Sequence, residues 1–180
     1  DSKEIYNISK SLGADVPFVR PHDIAMDDSP TSDTLKHALL SIKEKYDVIV
    51  LLEPTSPLRK KDDIDRGIKM LIDGWSDYDT LVSVGEVHLE NPEITKKIIE
   101  GAVVSYYENS KKILRRQDLS PAYFPYGVIY ASKVSTFFKT ESFYQERTLP
   151  MKIERWQNYE IDDFYDLICV NAVIKETSKL

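Results

Sequence analysis

The stretch that decides the fold reads Val48-Ile49-Val50-Leu51-Leu52-Glu53-Pro54-Thr55-Ser56-Pro57-Leu58-Arg59. Five apolar residues in succession predict a strand that is buried on both faces, as in the interior of a parallel sheet. The strand ends at Pro54, because two prolines three residues apart lack the backbone donors that a sheet ladder needs. In an open α/β sheet, ligands bind beyond the carboxyl end of such a strand. This end carries a carboxylate, two hydroxyls and a cation, so it is either the edge of an active site or an ordinary strand-to-helix loop.

Strands and helices alternate along the chain. Residues 16–21 predict a short strand and residues 79–84 a buried one, with a helix between the 48–52 and 79–84 strands that Asp62 caps and Gly74 ends. Because strand, helix and strand at this interval require a crossover connection, the strands are expected to be parallel. The sequence therefore predicts the α/β class, with the 48–52 strand in the interior of the sheet and helices on both faces.

Length and composition predict one domain. The chain has 180 residues, of which 42% are hydrophobic, enough to form one core. Its formal net charge of −6 lacks the attraction to phosphate on which nucleic-acid binding relies, so nucleic acid is not an expected partner. The single cysteine, Cys169, excludes an intrachain disulfide and fits a reducing cytoplasm. No apolar run approaches the ~20 residues that span a bilayer, which predicts a soluble protein without a membrane partner.

The 53–59 loop resembles the Leu-Leu-Gln-Pro-Thr-Ser-Pro-Leu-Arg signature of the acylneuraminate cytidylyltransferases, which make CMP-sialic acid and related CMP-activated nine-carbon sugars. Glu53 stands where the sialic acid enzymes usually carry Gln, and the other six residues of the loop match. The resemblance implies a set of substrate-binding residues at this loop: Glu53, Pro54, Thr55, Ser56 and Arg59.

A second match to the family is the run Arg115-Arg116-Gln117, which is followed by Tyr126-Gly127 where the family usually has Asn-Gly. By the resemblance, Arg116 and Gln117 are catalytic residues that orient the sugar acid, while Arg115, Tyr126 and Gly127 bind substrate. A guanidinium fork suits a carboxylate or phosphate in two-point contact. Taken alone, two adjacent arginines are more often a solvated basic spot, and Tyr126 leaves the identity of the sugar open.

A third match lies near the carboxyl terminus, where Glu160-Ile161-Asp162 resembles the family's Asp-Ile-Asp with Glu160 in place of the first Asp. On a strand, Glu160 and Asp162 would point to the same face. The resemblance implies that both hold Mg²⁺, the expected cofactor, and that Asp162 is catalytic; hard oxygen ligands suit this ion. The alternative is that Asp162 or Asp163 caps the following helix.

The amino-terminal third offers further candidates. Arg20-Pro21 closes the predicted 16–21 strand, as an Arg-Pro pair does in the family, where the next loop helps to hold cytidine. The resemblance makes Arg20, Ser29 and Thr31 substrate-binding residues. Their alternative interpretation is a surface loop with a helix cap.

A hairpin interrupts the α/β series. The β-rich runs 94–99 and 102–107 are joined by Glu100-Gly101, a two-residue link that ends in glycine. In the family, an excursion at this place packs against a second subunit, so residues 88–115 are the expected dimerisation arm of a homodimer. The alternative is that the hairpin is an addition at the edge of a monomeric protein.

Together, these matches imply a Rossmann-like nucleotidyltransferase fold: three α/β/α layers, a mixed and mainly parallel sheet, and one domain over residues 1–180. The implied reaction transfers CMP from CTP to an acidic, sialic acid-like nine-carbon 2-keto sugar and releases pyrophosphate. The family's glycine-rich phosphate loop has no counterpart here, which implies an amino-terminally incomplete domain that is inactive alone. The alternatives are a cytidylyltransferase for another acidic sugar, such as an eight-carbon keto acid, and a non-catalytic module for nucleotide-sugar binding or dimerisation.

Overall fold

The structure is a computed structural model that describes residues 1–107 and 115–177, with Arg116 described through its backbone alone. The helices are α1 Lys3–Ser11, α2 Thr31–Ser41, α3 Asp63–Asp73, α4 Val134–Thr140 and α5 Phe164–Thr177. The strands are β1 Val48–Leu51, β2 Thr80–Glu86, β3 Lys96–Ile99, β4 Ala102–Ser105, β5 Tyr123–Lys133 and β6 Thr148–Lys152. Short 3₁₀ turns lie at His22–Ile24, Pro92–Ile94, Arg116–Asp118 and Arg155–Gln157.

Four strands form the main sheet in the order β1-β5-β2-β6. The sheet is mixed, and β2 pairs with β6 in parallel from Thr80 opposite Thr148 to Val84 opposite Lys152. The predicted α/β class is therefore confirmed. Within the part of the chain that the structure describes, however, β1 is an edge strand, so its predicted place in the sheet interior is wrong. The predicted burial on both faces is wrong as well, since Ile49 is buried while the other residues of β1 are only half-buried and Leu52 is exposed. An edge strand lacks a neighbour on one side, and an apolar run in the sequence does not indicate how many strands lie beside it.

The core of the sheet is built from β2, β5 and their neighbours. Leu81 on β2, Val128 and Ile129 on β5, Leu71 on α3 and Met151 on β6 are completely buried. Burial of each such side chain stabilises the fold by about 1.5–3 kcal/mol relative to exposure. These contacts hold rigid the elements that carry the loops described below.

The predicted hairpin is confirmed. Strands β3 and β4 pair antiparallel from Lys96 opposite Ser105 to Ile99 opposite Ala102. The link has φ of 50° at Glu100 and 81° at Gly101, the left-handed conformation at both positions that a type I′ turn requires. The rest of the predicted 88–115 arm includes residues 108–114, which lie outside the described residues.

The chain divides into two compact units. Unit 1 comprises Asp1–Ile49 and Ser132–Ser142, and unit 2 comprises Val50–Ala131 and Phe143–Leu180. In unit 1, residues 16–21 form no strand, contrary to the sequence prediction, and the segment is irregular instead. Pro17 and Pro21 remove two of the backbone donors that a ladder over these six residues would need. The single domain over 1–180 stays a prediction.

Two further observations complete the fold. Asp62 occupies the N-cap position of α3, but its side chain makes no capping hydrogen bond. Instead, the carboxylate of Asp63 accepts a hydrogen bond from Lys60 N at 2.8 Å. None of the helices in the described ranges is long and apolar enough to cross a membrane.

Candidate active site

The 53–59 loop follows β1 and is fastened to β5 through its main chain. Glu53 N donates to Gly127 O at 3.2 Å, and Ser56 N donates to Glu53 O at 3.1 Å, closing a turn around Pro54 and Thr55. Ser56 is 1% exposed, whereas Pro54 and Thr55 are exposed. The loop therefore directs one hydroxyl into the protein and leaves the other at the surface.

Arg59 fixes the far end of this loop. Its Nε donates to Val128 O at 2.7 Å, and its Nη2 donates to Glu53 O at 2.7 Å and to Gly127 O at 2.9 Å. Burial lowers the pKa of the Arg59 guanidinium, although the charges of Asp63 and Glu53 raise it in part. These bonds assign Arg59 to the frame of the site, and its contact with substrate stays a prediction.

Glu160 joins this frame from the other end of the sequence. Its Oε1 accepts hydrogen bonds from Ser56 Oγ and from Gly127 N, the latter at 2.7 Å. One residue further on, Ile161 N donates to Thr55 O at 2.8 Å. A single carboxylate oxygen thus gathers the 53–59 loop, β5 and the 158–162 segment, and the half-buried Glu160 side chain lies where all three meet.

Gly127 is required by this arrangement. A Cβ added at this position would lie 2.6 Å from both Glu53 Oε2 and Ser56 Oγ, closer than carbon atoms approach oxygen without a clash. Any side chain here would push the 53–59 loop away from β5. The glycine of the Tyr126-Gly127 pair is therefore explained by the close approach of Glu53 and Ser56.

The Glu53 carboxyl is held among other acids. Burial raises the pKa of Glu53, the negative charges of Glu160 and Asp162 raise it further, and Arg59 lowers it in part. The net shift is upward, so Glu53 retains its proton to a higher pH than an ordinary glutamate. Because Asp162 acts on Glu53 through its charge, the carboxylates of Glu53, Glu160 and Asp162 belong to one local field.

The two alternatives for Asp162 are separated by the hydrogen bonds at the start of α5. Asp163 Oδ1 accepts from Tyr165 N at 2.7 Å and from Asp166 N at 3.0 Å, so Asp163 caps the helix. Asp166 Oδ2 accepts in return from Asp163 N and Asp162 N. The Asp162 side chain is exposed and takes no part in the cap. The predicted strand at Glu160 and Asp162 is wrong, because this segment is irregular and follows a 3₁₀ turn.

The residues present fit a magnesium ion that a nucleotide helps to hold. Among the described residues, no group of three or more His, Cys, Asp or Glu side chains is arranged to hold a metal. Mg²⁺ is nevertheless commonly held by one or two carboxylates, with water and substrate phosphates completing its coordination. Glu160 uses one oxygen for Ser56 and Gly127, and Asp162 projects from an exposed position in the same field. This donor set is compatible with Mg²⁺, and the predicted ligands remain a prediction.

The Arg115-Arg116-Gln117 run is not brought to Glu160 by any described contact. Arg115 forms a two-point ion pair with Asp118, at 2.9 Å from Nε and 3.0 Å from Nη2. Gln117 is exposed, and the side chain of Arg116 lies outside the described part of the chain. Roles for these residues in orienting a sugar acid stay predictions.

Three predicted cytidine-binding residues belong to unit 1. Arg20 Nη1 donates to Thr34 Oγ1 at 3.3 Å, and Ser29 Oγ accepts from Met26 N at 3.0 Å. Thr31 is the first residue of α2. These contacts fit a structured loop and helix start, so substrate binding by Arg20, Ser29 and Thr31 stays a prediction.

Tyr126 adds an aromatic wall next to Gly127. Its ring packs edge-on against Phe124 with 5.2 Å between ring centroids. Burial raises the pKa of the Tyr126 phenol, and the positive charge of Arg155 lowers it in part. The Arg155 guanidinium also lies 5.4 Å from the ring centroid of Tyr159. Arg155 therefore acts on Tyr126 through its charge and lies over the ring of Tyr159.

A second aromatic group is influenced by the charges of the same acids. Tyr130 packs against Tyr144 with ring centroids 6.3 Å apart, and Phe143 lies 5.7 Å from Tyr130 on the same measure. Burial strongly raises the pKa of Tyr130, and its neighbour Tyr144 raises it further, as do the charges of Glu53 and Glu160.

Sequence reasoning missed several residues of this region. Among them are Asp63, Tyr144, Arg155 and Gln157. Asp63 and Gln157 are each 1% exposed, and a buried polar side chain carries no periodic signal by which a sequence pattern reveals it. The motif matches located the segments, but the partners inside each segment became visible only through their hydrogen bonds.

Comparison with known proteins gives one consistent answer. A family model described as cytidylyltransferase matches residues 1–179. The N-acylneuraminate cytidylyltransferase of Streptococcus agalactiae serotype V is 30% identical over 170 residues, which cover 94% of this chain and 40% of that protein. The CMP-N,N'-diacetyllegionaminic acid synthase of Legionella pneumophila is 29% identical over 155 residues, 84% of this chain and 65% of that protein.

A solved structure extends the comparison to the fold. CMP:2-keto-3-deoxy-manno-octonic acid synthetase complexed with CTP superimposes with a TM-score of 0.62 at 12% identity, covering 98% of this chain and 79% of that one. This likeness confirms the predicted nucleotidyltransferase fold. The chain spans 40% of the length of the Streptococcus relative. With a family match over residues 1–179, the chain belongs to the cytidylyltransferase family.

Proposed function

We propose that this protein transfers CMP from CTP to an acidic nine-carbon 2-keto sugar of the sialic acid class and releases pyrophosphate. The observation that carries the proposal is the meeting of the 53–59 loop, Gly127 and Glu160 at one carboxylate oxygen. Each of these three segments contains one of the motifs by which the chain resembles sialic acid-activating enzymes. Two relatives are named for N-acylneuraminate and for CMP-N,N'-diacetyllegionaminic acid, which supports this substrate class.

In the proposed reaction, the anomeric hydroxyl of the sugar attacks the α-phosphorus of CTP. A new phosphorus–oxygen bond forms, the bond from the α-phosphorus to the β-phosphate breaks, and the hydroxyl proton is released. Such chemistry depends mainly on positioning and on stabilising the charge that develops on phosphate oxygens. The fixed 53–59 loop, held by Arg59 and Glu160, supplies a rigid wall against which substrates can be oriented.

The charges of the site support the proposal that a cation binds there. Glu53, Glu160 and Asp162 form a locally acidic field, and CTP and the sugar acid both bring further negative charge. Glu160 and Asp162 would hold Mg²⁺, which would offset the negative charge that develops on the phosphate oxygens. Arg116, Gln117 and Arg115 would orient the sugar acid.

Another acidic sugar is the second candidate substrate. The observation that favours it is Glu53, which stands where sialic acid enzymes usually carry Gln. Glu53 lies against Gly127 and in the field of Glu160. A carboxylate here, in place of the amide of Gln, therefore changes both the charge and the hydrogen-bond donors of this part of the site. An eight-carbon keto acid is the natural competitor to test.

The test is pyrophosphate release by the full-length native protein with CTP and Mg²⁺, with N-acetylneuraminate, diacetyllegionaminate and an eight-carbon 2-keto acid as alternative acceptors. We expect release with CTP and at least one nine-carbon acid, loss of release with EDTA, and a CMP-sugar mass in the product. UTP serves as the control nucleotide. Absence of a CMP-sugar with every acidic acceptor would contradict the proposal, and preference for the eight-carbon acid would favour the second candidate.

We further propose that the β3–β4 hairpin is part of a homodimer interface. Ile98 and Val103 lie opposite each other on the hairpin and are 76% and 70% exposed. A cross-strand pair of large apolar side chains at this exposure is a surface that a second copy of the chain could cover.

A further inference from the structure

A buried polar cluster outside the motif residues links α3 to the 3₁₀ turn before Glu160. Asp63 Oδ2 accepts hydrogen bonds from Gln157 Nε2 at 2.6 Å and from Lys60 N at 2.8 Å. Its other oxygen, Oδ1, accepts from Arg66 Nη2 at 2.9 Å. Asp63 is 1% exposed, so this carboxylate is buried with three donors around it.

Gln157 uses its entire side-chain amide in this cluster. Nε2 donates to Asp63 Oδ2 and, at 2.9 Å, to Leu58 O, while Oε1 accepts from Glu154 N at 3.1 Å. The side chain is 1% exposed. Both amide hydrogens and the amide oxygen are therefore satisfied, and no shorter or apolar side chain can reproduce this pattern.

The position of this cluster in the chain gives it a consequence for the site. Leu58 lies two residues after Ser56, and Gln157 lies three residues before Glu160. The Gln157–Leu58 hydrogen bond therefore joins the same two segments as the Ser56–Glu160 hydrogen bond, a few residues further along each of them. Ile161 N to Thr55 O continues the same connection.

We propose that Gln157, anchored by Asp63, is a positioning residue that sets the register of the 158–162 segment against the 53–59 loop. Its contribution to catalysis rests on the function proposed above, whereas its effect on the segment does not. In this assignment Gln157 touches neither substrate nor metal, and it acts by holding Glu160 and Asp162 where they are needed. Misplacement of reacting groups by about 1 Å is sufficient to lower a rate by roughly 100-fold.

The first experiment measures hydrogen exchange, which needs no substrate. In Gln157→Met, which keeps the volume but loses the amide, we expect exchange at Ile161 N to rise by about tenfold or more while the β2 amides change little. Val82→Ala is the control, because it removes buried methyl groups from β2 and is expected to loosen the sheet without a selective effect at Ile161. A rise spread evenly over the chain, or no rise at Ile161, would overturn the proposal.

The second experiment measures kcat and the KM for CTP in the same variants. We expect Gln157→Met to lower kcat by about 100-fold with a KM change of less than about threefold, and Val82→Ala to retain its kcat below its unfolding temperature. If the wild-type protein makes no CMP-sugar, the proposed function fails while the exchange measurement still decides the role of Gln157. If kcat falls equally in both variants, the positioning role is refuted.

A second set of variants tests the same contact in case Gln157→Met does not fold. Gln157→Glu places a second carboxylate against Asp63 and should lower both Ile161 protection and kcat. Adding Asp63→Asn removes the repulsion between the two carboxylates but leaves Leu58 O and Lys60 N without their partners, so we expect a partial recovery of kcat, about threefold over Gln157→Glu alone. A double variant no better than the single one would count against a direct Asp63–Gln157 contact as the positioning device.

Discussion

The Ser56 hydroxyl donates a hydrogen bond to the Glu160 carboxylate across a sequence separation of 104 residues. The same oxygen accepts from Gly127 N, so this one atom holds three segments that belong to different parts of the chain. The geometry of the site therefore depends on contacts between segments more than on any single helix or strand. Variants that disturb these contacts should reduce activity by more than their cost in stability explains.

Gly127→Ala tests the closeness of the 53–59 loop to β5. The added methyl would lie 2.6 Å from Glu53 Oε2 and Ser56 Oγ, so the loop must move or the strand must shift. We expect a loss of about 1–3 kcal/mol in the free energy of unfolding, typical of overpacking, measured by urea denaturation. We also expect kcat/KM for CTP to fall by roughly 100-fold, because the oxygens around Glu160 lose their alignment.

Gly13→Ala is the matched control for that variant. Gly13 has φ of +89°, and a Cβ there would meet nothing within 4 Å, so the methyl group causes backbone strain without a clash. The strain costs about 1–2 kcal/mol, comparable to the expected cost at Gly127. If both variants lose stability and both lose kcat/KM equally, the loss at Gly127 reflects general destabilisation, and the geometric explanation is wrong.

Much of the local structure could be predicted because it depends on short-range chemistry. The hairpin follows from Glu100-Gly101, since glycine tolerates the positive φ that a two-residue link requires. The sheet position of β1 could not be predicted, because strand neighbours are chosen by long-range pairing that the Val48–Leu51 sequence does not encode by itself.

The residues of the candidate site likewise fall into those that the sequence predicted and those that it did not. Glu53, Gly127 and Glu160 were found because a motif marks each of them, and the structure brings them together. The Asp63–Gln157 contact was missed because a buried hydrogen bond between distant side chains leaves no periodicity in either segment. Sequence spacing also predicted a strand at Glu160, where a 3₁₀ turn at Arg155–Gln157 redirects the chain into an irregular segment.

Glu53→Gln should change how stability depends on pH. Because burial and then Glu160 raise the pKa of Glu53 in the folded protein, folding favours its protonated form. The stability that Glu53 contributes is therefore present below the unfolded pKa of about 4.3 and is lost as pH rises through the higher folded value. Gln cannot ionise, so we expect the melting temperature of the variant to exceed that of wild type by an amount that grows as pH rises.

Thermal melts of Glu53→Gln and wild type between about pH 4 and pH 8 provide the measurement, since this window spans the titration of a raised glutamate. Glu146→Gln is the control, because it removes one negative charge from an exposed position. A gain in melting temperature that is the same for both variants at every pH would show that net charge, and not the surroundings of Glu53, is responsible.

The hairpin proposal predicts a change in oligomeric state. Replacing Ile98 and Val103 by Lys puts two charges on a face that we propose is covered by a second copy. We expect light scattering to give the mass of a dimer for wild type and of a monomer for this variant, because an unpaired charge in an apolar interface is costly to desolvate. Ala102→Lys adds a charge to the exposed opposite face of the hairpin and should leave the dimer intact. A monomeric wild-type protein, or a dimer that survives both substitutions, would rule out this interface.

Asp162 and Asp163 are adjacent acids with separable roles, and exchanging each for a neutral side chain should affect different quantities. Asp163 accepts hydrogen bonds from Tyr165 N and Asp166 N at the start of α5, so Asp163→Ala should cost about 0.5–2 kcal/mol of stability and leave kcat nearly unchanged. Within the described ranges, the hydrogen bond that Asp162 makes is donated by its main-chain N to Asp166, and Asp162→Asn retains it, so the free energy of unfolding should change by less than about 0.5 kcal/mol. Loss of the Asp162 charge weakens the proposed hold on Mg²⁺, and we expect pyrophosphate release at fixed Mg²⁺ to fall by roughly 100-fold or more, with partial recovery as Mg²⁺ is raised.

Urea denaturation and a Mg²⁺ titration of pyrophosphate release measure the two effects on the same preparations. If Asp162→Asn loses stability while keeping its activity, Asp162 is a structural residue and the metal assignment must move elsewhere.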